Sequence, residues 1–343
     1  MTADLDFTVR RGAFSLSVAT TIPPGERVGV IGDNGSGKST LLATLAGHLR
    51  VDSGHITLDG RTVDARGEGA SGPRPTYLPP YRRGVGWLGP NPAVFPHLSV
   101  RANVAYGLRG RATQRTAELL ETYGLADLAD RRAGELSTGQ QCRTALARAL
   151  AVDPPYLLLD EPFTGLDVTA AAELRQLVDH SLAGRATTLI LVSHDLVDLV
   201  TLVTRLISLD AGQVVDDGPL ERVLTSPRSP FVADLAGVTT LPGTVTADGV
   251  TTALGAFPVL TTLAPGTAVT VAFPPEAVRL AEPGTPGARA VLVDTVATSP
   301  TGLILCTGPN RLHVPMNLVV AATIRPWDRV GVVFDPTKAS VYA

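Results

Sequence analysis

Hydrophobic and polar positions up to residue 237 predict strands that alternate with helices. In the stretch 14–18, apolar residues alternate with serine, which is typical of a half-buried strand. Four-residue apolar runs at 156–159 and 189–192 are typical of strands that are covered on both faces. Residues 113–150 have mostly helical spacing, with a short break at 123–124. This alternation predicts an α/β fold.

Shorter stretches of this first part of the chain predict hairpins, a surface loop and a helical tail. Residues 56–63 and 206–215 predict hairpins, and the Gly-, Pro- and Arg-rich residues 64–80 predict a surface loop. Residues 219–236 predict a helical tail that prolines interrupt.

The pattern changes near residue 238. From there the chain is rich in Val, Thr, Gly and Pro, with short predicted strands such as 268–273 and 329–334. Turn signals recur about every eight to twelve residues, which is typical of a small β-barrel or sandwich. We therefore expect two domains, 1–237 and 238–343.

Composition restricts the possible function classes. Of the 343 residues, 44% are hydrophobic and 18% are charged, and the formal net charge is −3. No basic surface for nucleic acid is therefore expected. The acidic N-terminus is not typical of a signal peptide, and no apolar run approaches the roughly 18 residues of a membrane-spanning helix. The two cysteines, Cys142 and Cys306, suit a reducing compartment.

A glycine-rich stretch between a predicted strand, 27–31, and a predicted helix has the pattern G-x-x-x-x-G-K-S of a phosphate-binding loop. The N–H groups of such a loop and the helix N-terminus point at a phosphate chain. Lys38 would reach the β- and γ-phosphates, and Ser39 would bind Mg²⁺. A structural glycine turn is the alternative interpretation. The loop consists of Gly32, Asp33, Asn34, Gly35, Ser36, Gly37, Lys38, Ser39 and Thr40.

Charged residues end both apolar runs. Asp160 and Glu161 come directly after 156–159, and His194 comes shortly after 189–192. Such residues are out of place in a core, but they suit the edge where an open α/β sheet binds its ligand, beyond the strand ends. We therefore predict that all three lie in a site with the phosphate loop.

One more motif indicates a family. Leu136-Ser137-Thr138-Gly139-Gln140 resembles the L-S-G-G-Q signature of ATP-binding-cassette (ABC) ATPases. The phosphate loop, the segment 156–162, Gly165-Leu166-Asp167 and His194 are similar to that family in order and spacing.

The resemblance implies a fold as well as a function. We expect a P-loop ABC nucleotide-binding domain over 1–237, with a RecA-like core and a helical subdomain at about 90–152. A small all-β domain of the oligomer-binding type, with a regulatory role, is expected at 238–343.

The resemblance also implies the role of each site residue. Lys38 and the loop amides would hold the phosphates of ATP, and Ser39 and Asp160 would hold Mg²⁺, the latter through water. Glu161 would be the general base that polarises the attacking water. His194 would contact the γ-phosphate. Phosphoryl transfer depends mostly on such positioning and charge stabilisation.

A second copy of the chain is implied as a partner. Ser137, Gly139 and Gln140 would complete the ATP site of the other subunit in a head-to-tail dimer. Asp167 would couple the two sites.

Three positions depart from the family pattern. Pro90 stands where the family has a glutamine that reaches Mg²⁺ and the attacking water, and the neighbouring Asn91 is a candidate substitute. Thr138 replaces the first glycine of the signature. The aromatic residue that stacks on adenine would fall near 10–11, where both residues are arginine, and Phe14 is close in sequence.

The resemblance extends to a transport class. The segment 78–104 is similar to ATPase subunits of bacterial anion and metal importers, and the segments 231–238, 272–278 and 334–342 resemble the molybdate importer's ATPase. This resemblance implies a membrane permease as the direct partner and a secreted substrate-binding protein as an indirect one. It also implies that the chain lies at the cytoplasmic face of the membrane. Molybdate or another oxyanion, such as tungstate or sulfate, is the expected substrate, with iron and thiamine as alternatives.

Two further functions stay open. A degenerate cassette that binds ATP with little turnover is one, because of Pro90 and Thr138. A cassette protein of DNA repair or translation is the other, although the long coiled arms or second cassette of that class are missing from the sequence.

For the importer, we expect an apolar groove for a permease helix, lined by Val94, Phe95, Leu98 and Val104.

Overall fold

The computed structural model of the chain separates into two compact units, one ending at Asp217 and one beginning at Gly218. No helix in the described part of the chain is long and apolar enough to cross a membrane. The structure describes residues 2–67, 75–108, 112–282, 284–299, 302–315 and 324–343.

The first unit is built on one large sheet. In the part of the unit that the structure describes, eleven strands pair in the order β6-β5-β4-β1-β2-β11-β10-β3-β9-β8-β7. The strands are β1 (Ala3–Arg11), β2 (Phe14–Ile22), β3 (Arg27–Ile31), β4 (Ser53–Leu58), β5 (Arg61–Arg66), β6 (Thr76–Tyr77), β7 (Val85–Leu88), β8 (Tyr156–Asp160), β9 (Thr188–Val192), β10 (Arg205–Asp210) and β11 (Gln213–Pro219).

The helices of this unit connect the strands. Short 3-10 turns lie at Pro80–Arg82, Ala126–Leu128 and Ala133–Glu135. The helices are α1 (Lys38–Ala46), α2 (Val100–Ala105), α3 (Ala112–Thr122), α4 (Thr138–Leu150), α5 (Val168–Leu182) and α6 (Leu196–Leu202).

Parallel pairing joins the five strands β10, β3, β9, β8 and β7. Every residue of β8 and of β9 is buried, because helices cover both faces of a parallel sheet. Leu41, Leu42 and Leu45 of α1 belong to the same apolar core as residues of β3, β8 and β9. The carboxyl ends of these strands therefore meet at one edge of a rigid sheet.

The second unit is all β apart from two short helices at its start. Its described strands form sheets in the orders β14-β13-β12-β15-β22, β16-β21-β17 and β18-β19-β20. Three rings, Phe257, Phe273 and Phe334, pack at centroid distances of 5.0 to 5.3 Å in its core. The elements are α7 (Leu220–Thr225), α8 (Pro230–Ala236), β12 (Thr239–Thr246), β13 (Gly249–Thr252), β14 (Gly255–Phe257), β15 (Ala268–Phe273), β16 (Val278–Ala281), β17 (Arg289–Leu292), β18 (Thr295–Ser299), β19 (Gly302–Thr307), β20 (Asn310–Pro315), β21 (Arg329–Phe334) and β22 (Ser340–Tyr342), with 3-10 turns at Pro275–Ala277 and Pro336–Lys338.

The fold class predicted from the sequence, α/β followed by a small all-β part, is confirmed. The predicted break in the helical region 113–150 is longer than expected, because α3 ends at Thr122 and α4 begins at Thr138. Gly124, with a φ of 63°, ends the first helix, and the cap at Ser137 begins the second. Of the predicted loop 64–80, residues 68–74 lie outside the described part, and β5 and β6 occupy much of the rest.

A buried ion pair holds α1 against β5. The side chains of Arg83 and Asp64 are 0% and 1% exposed, and Arg83 Nη2 donates to Asp64 Oδ2 at 2.9 Å. Arg83 also donates to the carbonyl oxygens of Leu78 and of Thr44 in α1. Burial raises the pKa of Asp64 although Arg83 opposes that shift, so the carboxylate depends on its partner.

We therefore expect Arg83→Met to lower the free energy of unfolding by about 3–5 kcal/mol, because it leaves a buried carboxylate unpaired. Urea unfolding followed by circular dichroism measures this change. The additional change Asp64→Asn should recover part of the loss. Arg101→Met is the matched control, because Arg101 pairs with Asp130 at the surface and should contribute under about 1 kcal/mol. Equal losses in Arg83→Met and Arg101→Met would contradict this account.

Candidate functional site

The glycine loop connects β3 to α1 in a conformation that other residues rarely adopt. Gly32, Gly35 and Gly37 have φ values of 145°, 84° and 111°. A Cβ atom on Gly32 would lie 2.1 Å from the carbonyl oxygen of Leu209, and one on Gly37 would lie 3.0 Å from the ring of Phe14. The glycines are therefore required by backbone geometry and by close packing.

The turn between β10 and β11 supports this loop. The N–H of Gly212 donates to the carbonyl oxygen of Ser36 at 3.1 Å, and the carbonyl oxygen of Gly212 accepts from the N–H of Ser17 at 2.8 Å. The sequence predicted this hairpin but contained no signal that its turn contacts the loop.

Lys38 closes the loop from inside. Its ammonium group donates to the carbonyl oxygens of Gly32 and Asp33 at 2.7 and 2.9 Å. The residue is buried, and burial lowers the pKa of its ammonium group, against the opposing effect of Glu161 and Asp160. A desolvated cation is thus held beside two carboxylates at the loop.

Asp160 and Ser39 form the part of the site that fits a divalent cation. Asp160 ends β8 and is 2% exposed, and burial raises its pKa against the opposing effect of the Ser39 side chain. Its Oδ2 atom has no hydrogen-bond partner among the described residues. Mg²⁺ prefers hydroxyl, carboxylate, phosphate and water oxygens. The described residues contain no group of three or more His, Cys, Asp or Glu side chains placed to hold a metal, so most ligands would come from phosphate and water.

Glu161 and His194 lie side by side at the ends of neighbouring strands. Glu161 Oε1 is 3.6 Å from His194 Nδ1, and Glu161 Oε2 accepts from Thr164 Oγ1 at 3.3 Å. The N–H of Glu161 donates to Val192 of β9 at 2.9 Å. Glu161 has a φ of 51°, a left-handed conformation that a non-glycine residue adopts at a cost and that is common at functional sites.

Part of the glycine loop and Glu161 line a cavity of about 530 Å³, and the residues described around it include neither Asp160 nor His194. Two further lining residues, Arg11 and Phe14, face each other across the β1–β2 hairpin. Arg10, which the sequence left open beside Arg11, is not among the residues described around the cavity, and its backbone N–H donates to Asp52 Oδ2. The cavity is lined by Arg11, Phe14, Asn34, Gly35, Gly37, Lys38, Ser39, Thr40 and Glu161.

The motif at 136–140 lies at an exposed helix start. Ser137 caps α4: its hydroxyl accepts from the N–H of Gln140, and the side chain of Gln140 accepts from the N–H of Ser137. Ser137 and Thr138 are exposed, and the residues described around the cavity include none of Ser137, Gly139 and Gln140. Asp167 likewise caps its own helix, α5, by accepting from the N–H of Ala170.

The segment after β7 follows a strand that pairs with β8. Leu88, the last residue of β7, pairs with Leu159 in the parallel register, and Pro90 comes two residues after Leu88 as Glu161 comes two residues after Leu159. Both Pro90 and Asn91 are exposed.

Asn103 and Arg148 hold the following loop. The Asn103 side chain bonds both the N–H and the carbonyl oxygen of Phe95. Arg148 donates to the carbonyl oxygen of Ala93 and lies 4.8 Å from the Phe95 ring centroid.

One groove residue proposed from the sequence is wrong. Val104 is fully buried in the helical region, because α2 packs against α3 and α4. Val94, Phe95 and Leu98 are half-buried, so they remain available to a groove.

Comparison with known proteins gives consistent results. The profile of the ABC transporter family matches residues 16–164. The molybdenum import ATP-binding protein ModC of Mycobacterium tuberculosis is 41% identical over 244 residues, which cover 68% of this chain and 64% of that protein. The chain therefore matches less than two thirds of the length of this relative.

Two further similarities concern the whole chain and the fold. A solved dimeric structure of the ATP-binding cassette MJ0796, in a post-hydrolysis state with ADP and phosphate, has a TM-score of 0.54 and 26% identity, and covers 64% of this chain and 99% of that chain. The Fe(3+) ions import ATP-binding protein FbpC 2 of Rhodococcus jostii is 36% identical over 336 residues, which cover 95% of this chain and 92% of that protein. This relative is 36% identical over nearly the full length of both proteins, and the family profile matches as well. The chain therefore belongs to the ABC transporter family.

Proposed function

We propose that the chain is the ATP-binding and ATP-hydrolysing subunit of an importer. The observation that carries this proposal is that the phosphate loop with Lys38, the carboxylate of Asp160 and the Glu161–His194 pair meet at the carboxyl ends of β3, β8 and β9. The relatives ModC and FbpC 2 are import ATP-binding proteins.

The geometry supports a specific division of roles. The N–H groups of the loop and the ammonium group of Lys38 bind the phosphates. Ser39 and Asp160 would hold a Mg²⁺ ion, which would supply positive charge to the β- and γ-phosphates. Glu161 accepts a hydrogen bond from the attacking water and orients it. His194, beside Glu161, donates to the γ-phosphate and keeps the water in line.

Arg11 and Phe14 would contact the nucleobase at one end of the cavity. Both line the cavity on the hairpin next to the loop. A guanidinium group and an aromatic ring can each stack on a purine. We propose that these two residues replace the aromatic contact of the family pattern.

A second copy of the chain would complete the site. Ser137, Gly139 and Gln140 lie away from the cavity of their own chain, on an exposed helix start that suits a phosphate. The similar cassette MJ0796 was solved as a dimer. We propose a head-to-tail dimer in which Asp167, at the start of α5, couples the two sites.

The partners and the cargo follow from the same family. We propose a membrane permease as the direct partner, a secreted substrate-binding protein as the indirect one, and a position at the cytoplasmic face of the membrane. Molybdate is our preferred cargo because ModC is a relative at 41% identity, but the Fe(3+) relative covers more of the chain. Ligand binding by the secreted protein that acts with this chain would identify the cargo.

Two departures favour a second candidate, a cassette that binds ATP with little turnover. Pro90 has no side-chain amide where the family has glutamine, and the Thr138 side chain is exposed where the family has glycine. The regulatory role of residues 238–343 stays a prediction.

The main test is Glu161→Gln. Loss of the general base should lower kcat by about 10²–10⁴-fold, while the affinity for ATP stays near that of the unmodified protein. Steady-state ATP hydrolysis and equilibrium binding of a fluorescent ATP analogue measure the two effects. Glu173→Gln on α5 is the matched control, because Glu173 pairs with Arg143 and does not line the cavity. Hydrolysis at the original rate in Glu161→Gln would remove this residue from the mechanism.

The permease surface is tested by Phe95→Asp. The ring of Phe95 is half-buried and lies 4.5 Å from the ring of Tyr106, so a carboxylate there should prevent an apolar helix from docking. We expect loss of co-purification with the permease and an unchanged circular dichroism spectrum. Phe95→Leu, which keeps an apolar side chain, is the control. Retained co-purification of Phe95→Asp would refute the surface, and unfolding would place Phe95 in the core.

Pro90 sets a separate expectation. We propose that an ordered water replaces the missing glutamine amide, because Pro90 and Pro92 restrict Asn91 on both sides. Asn91→Ala should then change turnover little, and Pro90→Gln should raise kcat by up to about tenfold, less than a general base contributes. Single-turnover hydrolysis measures both variants. A large loss in Asn91→Ala without a gain in Pro90→Gln would identify Asn91 as the working residue instead.

A further inference from the structure

The residues on both sides of His194 are fixed by a buried carboxylate. Ser193 Oγ donates to Asp198 Oδ2 at 2.5 Å, and the N–H of Asp195 donates to Ser193 Oγ at 3.1 Å. Asp195 also caps α6 by accepting from the N–H of Val197. The histidine itself is 62% exposed. Its backbone is therefore held firmly while its side chain stays free to meet a ligand.

Arg175 of α5 holds this carboxylate from the other side. Its Nε atom donates to Asp198 Oδ1 at 2.5 Å, and its Nη2 atom lies 3.6 Å from Asp195 Oδ2. The side chains of Arg175 and Asp198 are only 12% and 4% exposed. Buried arginine–carboxylate pairs with such geometry are rigid, because the planar guanidinium group fixes direction as well as distance.

The same guanidinium group also contacts the loop that carries Glu161. Its carbon lies 5.3 Å from the ring centroid of Phe163, which is buried two residues after Glu161. One side chain therefore touches the segment after β8 and the segment after β9. Glu161 and His194, on those two segments, lie 3.6 Å apart.

We propose that Arg175 is a positioning residue that sets the separation between Glu161 and His194, and so the placement of the attacking water. This inference rests on the proposed ATPase function. None of the contacts of Arg175 described here involves the phosphate loop. Its loss should therefore lower the rate of hydrolysis and leave ATP binding unchanged.

The first experiment is Arg175→Met in the full chain. A displacement of about 1 Å between reacting groups costs up to about 10²-fold, so kcat should fall about 10- to 100-fold. The Kd for ATP should change by less than about twofold. Arg27→Met is the matched control. Arg27 also pairs with a residue of α5, Asp179, but it lies at the start of β3, at the end of that strand away from the phosphate loop. It should keep the original kcat.

A double-mutant cycle separates positioning from general weakening of the fold. If Arg175 acts through His194, Arg175→Met should cost little once His194→Ala is present. Arg175→Lys keeps the charge but not the forked geometry, and should recover part of the rate. Asp198→Asn keeps the shape of the side chain and an oxygen that can accept from Ser193. This variant replaces Arg175→Met in the experiment if circular dichroism shows that Arg175→Met does not fold. It should lower kcat in the same direction.

Two results would overturn the inference. One is a folded Arg175→Met or Asp198→Asn protein with kcat within about twofold of the original. The other is an equal loss from Arg175→Met with and without His194→Ala. Failure of the proposed function is distinguishable, because the original protein and Glu161→Gln would then hydrolyse ATP equally.

Discussion

The parallel pairing of β3, β9 and β8 is the interaction on which the site depends. Its register sets Val30 beside Val192 and Val192 beside Asp160, so the phosphate loop, the carboxylates and the histidine leave the sheet at one edge. A slip of one residue in β8 would turn Asp160 to the opposite face, because side chains alternate along a strand. Such a slip is costly because β8 and β9 are wholly buried, with side chains packed on both faces of the sheet.

The parts of the fold and site that could be predicted are those that local sequence encodes. The glycines of the phosphate loop are required by their φ values and by close contacts, and their spacing is visible in the local sequence. The strands before Asp160 and His194 were visible as apolar runs, and strand ends are where such sheets bind ligands. The α/β class and the all-β second part followed from hydrophobic period and turn spacing in the same way.

What the sequence did not reveal depends on contacts between distant residues. Gly212 supports Ser36, and Arg175 joins the segments of Phe163 and Asp198, through tertiary packing that no local pattern records. The sequence predicted Glu161 as a site residue, but not its φ of 51°, which its surroundings impose. Val104 was assigned to a groove because it lies in an apolar segment, but apolar character does not distinguish a groove from a core.

The buried charges of the site suit a ligand that carries both signs. Burial lowers the pKa of Lys38 and raises the pKa of Asp160, so desolvation disfavours the charged form of each. Each charge only partly offsets the other. A polyphosphate would bring negative charge to Lys38, and a divalent cation would bring positive charge to Asp160, so that each would favour the charged form of its partner. Such a ligand would stabilise the loop and the strand ends that bind it, because the unfolded chain offers no such site.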